Sequence, residues 1–175
     1  MLVPITKDAT ASCVSMQDPA IDIEKSVREE LPDGETSSAY ILKRYRDPSS
    51  WRELLTMKDG ATPTVFIIGV IPPAELNRIE DECSNADGTR NANELGWRCF
   101  THGLRKVEGL ELDVRTRTVG GIEYVDPQWV ADVFVGHLRN VAIEVGSVIW
   151  AWNQASPEDA ANLSGRSKPT TASSA

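Results

Sequence analysis

The chain has 175 residues, of which 41% are apolar and 25% are charged, an ordinary globular composition that allows one hydrophobic core. Lys and Arg number 18 against 26 for Asp and Glu, and this formal net charge of -8 disfavours nucleic acid and anionic lipid as partners. Three cysteines without a CxxC pair argue against a secreted disulfide framework, and neither a signal peptide nor a membrane-spanning apolar run is predicted. We therefore expect an intracellular protein outside the membrane.

The sequence of the N-terminal half predicts a flexible arm followed by a small sheet. Residues 1–37 are rich in Ser, Thr, Asp and Pro, carry at most a short helix, and are predicted to be a flexible arm. Residues 39–45 and 64–71 have the Tyr, Ile, Val and Phe content of strands, and the second reads as buried on one or both faces. They are close enough in sequence to pair antiparallel, which would make them most or all of the sheet.

One basic cluster interrupts this acidic chain, at Lys43, Arg44 and Arg46 around Tyr45. It could contact phosphates, but it falls on the first predicted strand. We interpret its charges as the outward-facing residues that prevent a sheet edge from pairing with other chains. Nucleic acid is therefore not an expected partner.

The C-terminal half has helical periodicity. Helices are predicted from Pro73 to Cys83 and from Ala92 to Glu108, with a loop or weak hairpin around Gly120-Gly121 over residues 110–125. A third helix is predicted over residues 127–153, because Asp126 is a good N-cap and Pro127 suits the first helical position. Its predicted buried stripe consists of Val130, Phe134, Leu138, Val141, Val145, Val148, Ile149 and Trp152.

Ile143 and Trp150 of this long helix are apolar but fall outside the stripe. Trp150 points about 140° away from Val145 at 100° per residue, on the same side as Ile143. This pair is either covered by a short helix that starts near Ser156 or offered to a partner, and the two alternatives have equal weight. Ile143 and Trp150 are thus the candidate partner-binding residues, since aromatic anchors are typical of protein interfaces.

Taken together, the elements predict an α+β fold that is mainly α. A small antiparallel β-hairpin or sheet is followed by a bundle of three to four helices. The predicted organisation is a flexible N-terminal arm over residues 1–37, a single globular domain over residues 38–164, and a disordered tail over residues 165–175.

Motifs for chemistry are missing from the sequence. Neither His102 nor His137 has a second ligand three or four residues further along its helix, and the chain has no Gly-rich phosphate loop and no nucleophile elbow. We therefore predict a non-enzymatic protein with no catalytic, cofactor-binding or metal-binding residues. A cavity that unites His102 or His137 with carboxylates would instead favour a small enzyme.

Several segments, read in order, resemble one family of proteins. A Pro-Thr-Val-Phe strand start at residues 63–66 leads into a Pro-Pro-Ala-Glu helix at residues 72–75, and a later helix ends near Val107-Glu108-Gly109-Leu110. The long helix then carries Val145-Gly146-Ser147-Val148-Ile149, followed by a Ser-Pro-Glu-Asp motif at residues 156–159. Over residues 38–164 this order resembles the tail assembly chaperones of long-tailed bacteriophages.

The resemblance implies a role without catalysis or cofactors, in the host cytoplasm. Proteins of that family coat the hydrophobic tape measure protein until tail tube subunits polymerise around it. The implied partners are the tape measure protein and, as a further candidate, the tail tube protein, with homo-oligomers also open. The alternatives are a structural component of the phage particle, such as a head–tail connector or tail accessory protein, and a small enzyme with a dispersed site.

Overall fold

A computed structural model describes residues 6–154 of the chain. Six helices occur in this range: α1 (Ala39–Lys43), α2 (Trp51–Leu54), α3 (Pro73–Glu82), α4 (Ala92–Gly103), α5 (Pro127–Val133) and α6 (His137–Asn153). The same range contains nine strands: β1 (Thr10–Cys13), β2 (Ile21–Asp22), β3 (Arg28–Glu30), β4 (Thr36–Ser38), β5 (Thr56–Met57), β6 (Val65–Gly69), β7 (Leu104–Glu108), β8 (Thr116–Val119) and β9 (Ile122–Val125).

The predicted fold class is wrong. The strands form four small antiparallel sheets spread along the described residues, with orders β1-β6-β7, β2-β5, β3-β4 and β8-β9. The molecule is therefore a mixed α/β fold and not a β-hairpin followed by a helical bundle. The predicted short helix after Ser156 and the tail over residues 165–175 lie outside the described residues.

The central strand of the largest sheet is β6, as its apolar content predicts. It pairs antiparallel with β1 on one side and with β7 on the other, and four of its five residues are buried. Phe66 on this strand contacts two further aromatic rings, with centroids 5.7 Å from Phe100 and 6.2 Å from Phe134. This aromatic cluster joins the sheet to α4 and to the end of α5, which places the core between them.

The first predicted strand is a helix. Ala39–Lys43 forms α1, so its predicted pairing with residues 64–71 is wrong as well. The buried residues of this segment include Tyr40 and Arg44, whose spacing of four matches a helix, while Leu42 is exposed. The Tyr40 hydroxyl donates to the carbonyl of Pro48 at 3.0 Å, which fixes α1 on the following turn.

Four strands, β1 to β4, lie within residues 10–38, and all but the last residue of this range belong to the flexible arm that the sequence predicts over residues 1–37. Cys13 and Val14 at the end of β1 are fully buried. Val14 belongs to a second, smaller core with Ile21, Tyr40 and Leu55. The sequence signal for β1 is weak, because Thr10–Cys13 is short and its two apolar residues, Ala11 and Cys13, are small.

The second predicted helix ends earlier than expected, and the hairpin is present. Helix α4 ends at Gly103, and the next five residues form β7, whereas the sequence predicts that the helix continues to Glu108. The β8–β9 hairpin has Gly120 and Gly121 at its tip, with φ of +58° and +78°. Two successive positive φ angles fit a type I′ turn, which matches the twist of the flanking strands.

The long third helix is broken in two. The Asp126 carboxylate accepts from the N–H of Gln128 at 3.0 Å as the predicted N-cap, but α5 ends at Val133. Gly136 has φ of +57° and ψ of -126°, a conformation that only glycine adopts readily, and α6 starts directly after it. The break changes the direction of the buried stripe, so Leu138 is 40% exposed although the sequence predicts it as core.

A partly buried ion pair joins the first half of the chain to α6. The Arg44 guanidinium donates to Glu144 Oε1 at 2.9 Å, and the N–H of Met16 donates to the same oxygen at 3.1 Å. The Ser15 hydroxyl donates to the other carboxylate oxygen. The basic cluster that the sequence places on a sheet edge therefore has one member, Arg44, turned into the protein.

Candidate functional site

Helices α4 and α6 approach each other closely at two glycines. A Cβ on Gly146 would overlap the carbonyl oxygen of Gly96, and a Cβ on Gly96 would lie 2.7 Å from the carbonyl oxygen of Ile143. No side chain separates the two backbones at this crossing. About two turns further along α4, Gly103 faces Ile149 of α6, where a Cβ would lie 2.6 Å from the Ile149 Cγ2.

The crossing decides where the first candidate residue, Ile143, lies. Its carbonyl and side chain face Gly96 of α4, and the Ser147 hydroxyl donates to its carbonyl at 3.0 Å. The sequence places Ile143 on an outer face of the helix, whereas α4 covers that side. Its side chain is only partly buried, so its role in partner binding stays a prediction.

The second candidate, Trp150, is held at the surface by polar contacts. Its indole Nε1 donates to Glu80 Oε1 on α3 at 2.9 Å, and Gln154 Nε2 donates to the same oxygen at 2.8 Å. The Arg90 guanidinium lies 5.6 Å from the ring centroid, within the range of a cation–π contact. Trp150 is partly buried against the core, so its ring is fixed while one side remains accessible.

A groove of about 400 Å³ runs beside this ring. Its wall is formed by Trp150 and Ala151 of α6, by Ala92, Leu95 and Gly96 of α4, and by Tyr45, which follows α1. The lining is mostly apolar, and Tyr45 is 40% exposed. A fixed tryptophan beside an exposed tyrosine, in a groove between two helices, is an arrangement typical of protein-binding sites.

A second cavity, of about 520 Å³, lies between α3, the end of α4 and the β8–β9 hairpin. Glu75 and Arg78 face it from α3, His102 from α4, and Arg117 from β8. His102 Nδ1 lies 3.4 Å from Glu75 Oε1, and Arg78 Nε donates to the other oxygen of that carboxylate at 3.2 Å. Pro72, Val119 and Tyr124 supply apolar surface.

The charged groups around this cavity determine the protonation states of His102 and Glu75. Partial burial lowers the pKa of His102, the adjacent Glu75 carboxylate opposes that shift, and the Arg117, Arg78 and Arg98 guanidinium groups add to it. The hydrogen bond from Arg78 holds the pKa of Glu75 below its usual range. At neutral pH the imidazole is therefore uncharged.

The other histidine, His137, has no carboxylate oxygen within 4.0 Å among residues 6–154. His137 lines a smaller cavity of about 240 Å³ together with Asp18, Phe66 and Phe134. The Asp18 carboxylate is already engaged, since it accepts from the N–H of Thr64 at 2.7 Å and from the N–H of Ala20 at 2.8 Å. Of the two histidines, His102 is the one with a carboxylate in contact.

The sequence did not indicate several of the residues that line these sites. Glu75 and His102 lie on different helices, so a search for ligands three or four positions apart does not pair them. Tyr45 was assigned to a strand edge, and Arg117 to a loop or weak hairpin. Arg117 and Val119 share one face of β8, and Tyr124 of β9, the cross-strand partner of Arg117, lies on the same face. This alternation could have indicated that the face meets another element.

Among residues 6–154, no three His, Cys, Asp or Glu side chains cluster as metal ligands would. The helices described within that range are all too short or too polar to cross a bilayer. Comparison of the chain with protein-family models, with curated proteins and with solved structures finds no match.

Proposed function

We propose that the protein is a non-enzymatic assembly chaperone that holds an amphipathic helix of a longer protein. In line with the family resemblance of its sequence, the client is the tape measure protein of a long-tailed bacteriophage, bound in the host cytoplasm before tail tube subunits surround it. The single observation that supports this proposal best is the groove beside Trp150, with its fixed indole and the exposed ring of Tyr45.

The groove suits a helical client on physical grounds. Grooves between two helices accept the apolar face of a third helix, whose anchors recur every three or four residues. The floor of the groove has small residues, Ala92, Gly96 and Ala151, so large side chains of the client can approach the helix backbones. A net charge of -8 repels other copies of the complex and keeps a hydrophobic client dispersed.

A small enzyme is the second candidate, since a cavity does unite His102 with Glu75. That cavity provides a base, but its lining within residues 6–154 includes no Ser, Thr or Cys, and its carboxylate is paired with Arg78. We therefore interpret it as a place where a ligand binds. A component of the finished particle is the third candidate, which mass spectrometry of purified particles would identify by the presence of this chain.

The test is co-expression with the tape measure protein of the same phage. The soluble fraction of the tape measure protein is expected to rise, and the two chains are expected to co-purify. Tyr45→Ala removes an exposed ring from the groove, and Ala92→Arg places a charged side chain on its floor. Both positions are exposed, so both variants are expected to fold while losing most of the solubilising effect.

Leu112→Ala is the matched control, because Leu112 is 50% exposed and lies outside the groove. It is expected to solubilise the client as the unmodified chain does. If folded Tyr45→Ala and Ala92→Arg proteins also retained full activity, the groove would not be the binding site. If the unmodified chain left the client insoluble, the proposed chaperone function would be wrong.

A further inference from the structure

The cavity between α3, α4 and the β8–β9 hairpin has no part in the proposed chaperone function, and it shares no lining residue with the groove beside Trp150. We propose that it binds a small molecule with one carboxylate and a compact apolar body. Arg117 pairs with the carboxylate, and Pro72, Val119 and Tyr124 contact the apolar body.

Charge is the first argument for this ligand. Two arginines, Arg78 and Arg117, and one carboxylate, Glu75, face the cavity, so its fixed charge is positive within a chain of net charge -8. Arg78 is already paired with Glu75. Within residues 6–154, Arg117 has no carboxylate within 4.0 Å, although it faces a concave surface where a ligand oxygen could reach it. A planar guanidinium matches a carboxylate with two parallel hydrogen bonds.

The cavity wall sets the second requirement. Tyr124 is 8% exposed, and the Arg105 guanidinium stacks on its ring, 4.1 Å from the ring centroid. Val119 is 51% exposed and stands on the same face of the hairpin as Arg117. A volume of about 520 Å³ lies within the range of small-molecule sites and is large enough for a ring or a short branched chain.

His102 couples binding to pH. Its imidazole is surrounded by Glu75 and Arg78 of α3, Arg98 of its own helix and Arg117 of β8. A bound carboxylate neutralises Arg117 and favours a proton on the imidazole. The ligand is therefore expected to bind more tightly at about pH 6 than at about pH 8, because the unbound histidine is uncharged at the higher pH.

Calorimetric titration of the full chain tests the proposal with three probes. Phenylacetate carries both the charge and the apolar body, phenylacetamide lacks the charge, and acetate lacks the body. We expect measurable binding of phenylacetate and at least about tenfold weaker binding of each of the others. Equal binding of phenylacetate and phenylacetamide, or of phenylacetate and acetate, would refute the assigned ligand class.

Three variants separate the roles of the residues. Arg117→Gln is expected to weaken phenylacetate binding at least about tenfold, and circular dichroism checks that its exposed position leaves the fold intact. Arg115→Gln is the matched control, because that arginine pairs with Asp132 outside the cavity, and it should leave the affinity unchanged. His102→Gln should bind phenylacetate with the same affinity at both pH values. Unchanged affinity of Arg117→Gln would overturn the site.

Discussion

Replacing Gly146 with alanine is expected to destabilise the fold, although alanine is the better helix former. The substitution gains about 1 kcal/mol of helix propensity. The added Cβ, however, overlaps the carbonyl oxygen of Gly96 and lies 2.5 Å from its carbonyl carbon. Both obstructing atoms belong to the backbone of α4, so no rotamer change relieves the contact and the two helices must separate.

The free-energy cost of separating α4 and α6 can be estimated. Overpacking a core costs about 1–3 kcal/mol and occasionally more, and a contact with backbone belongs at the upper end of that range. Ala142, Val145 and Ile149, all fully buried on α6, also lose contacts when the helices separate. The net loss of unfolding free energy is therefore about 2 kcal/mol, which corresponds to a fall in Tm of about 4–8 °C for a domain of this size.

Urea denaturation followed by circular dichroism and tryptophan fluorescence measures this loss. Gly103→Ala is the matched comparison, because its Cβ meets the side chain of Ile149 at 2.6 Å, and a side chain can shift where a backbone cannot. We expect Gly103→Ala to lower the unfolding free energy by less than Gly146→Ala does. If Gly146→Ala were as stable as the unmodified chain, the two backbones could not cross where the structure places them.

Two further predictions concern buried groups. Glu144→Ala leaves Arg44 buried without its partner and should lower the unfolding free energy in urea by about 3–5 kcal/mol. Glu144→Gln, which keeps an acceptor oxygen, should cost less, and an equal cost for both would contradict this reasoning. Burial raises the pKa of the Cys13 and Cys99 thiols to about 12, so at about pH 8 Ellman's reagent should label them only after unfolding. Rapid labelling of either thiol in the native protein would contradict their burial.

The sequence predicted correctly those helices, strands and turns whose cause lies in neighbouring residues. Four elements each have a cause within a few residues of sequence: the buried strand β6, the helix that starts at Pro73, the cap at Asp126 and the turn at Gly120-Gly121. These causes are β-branched content, a proline at a helix start, a side-chain acceptor for a free N–H, and glycine at positive φ. All four elements are present in the structure.

The failures come from contacts between distant parts of the chain. Tyr40 lies on α1 and packs in the second core, and Arg44 follows the last residue of α1 and pairs with Glu144. Nothing near these residues in sequence indicates either contact. The pairing of β1 with β6 follows from the sheet and not from the sequence of β1. Gly136 looked like a helix residue of low propensity, whereas its positive φ ends one helix and begins another.

The candidate sites were even less predictable. The direction of Trp150 along the helix was estimated from 100° per residue, but α6 is buried on more than one side, so the side away from Val145 is not free. The glycines could have indicated this, since Gly96 and Gly146 within helices have no benefit other than close packing. The pairing of Glu75 with His102 required the positions of two helices and could not be read from spacing.

The ion pair between Arg44 and Glu144 also joins parts of the chain that are synthesised far apart in time. Its partners are separated by 100 positions in sequence, and the contact of Ser15 with the same carboxylate spans 129. A ribosome therefore releases most of the chain before the charge on Arg44 can be neutralised and before α6 can cover α4. Loop closure over such distances is slow. We therefore expect the N-terminal third to be unfolded as an isolated fragment, and to fold together with the rest of the core after α6 has been synthesised.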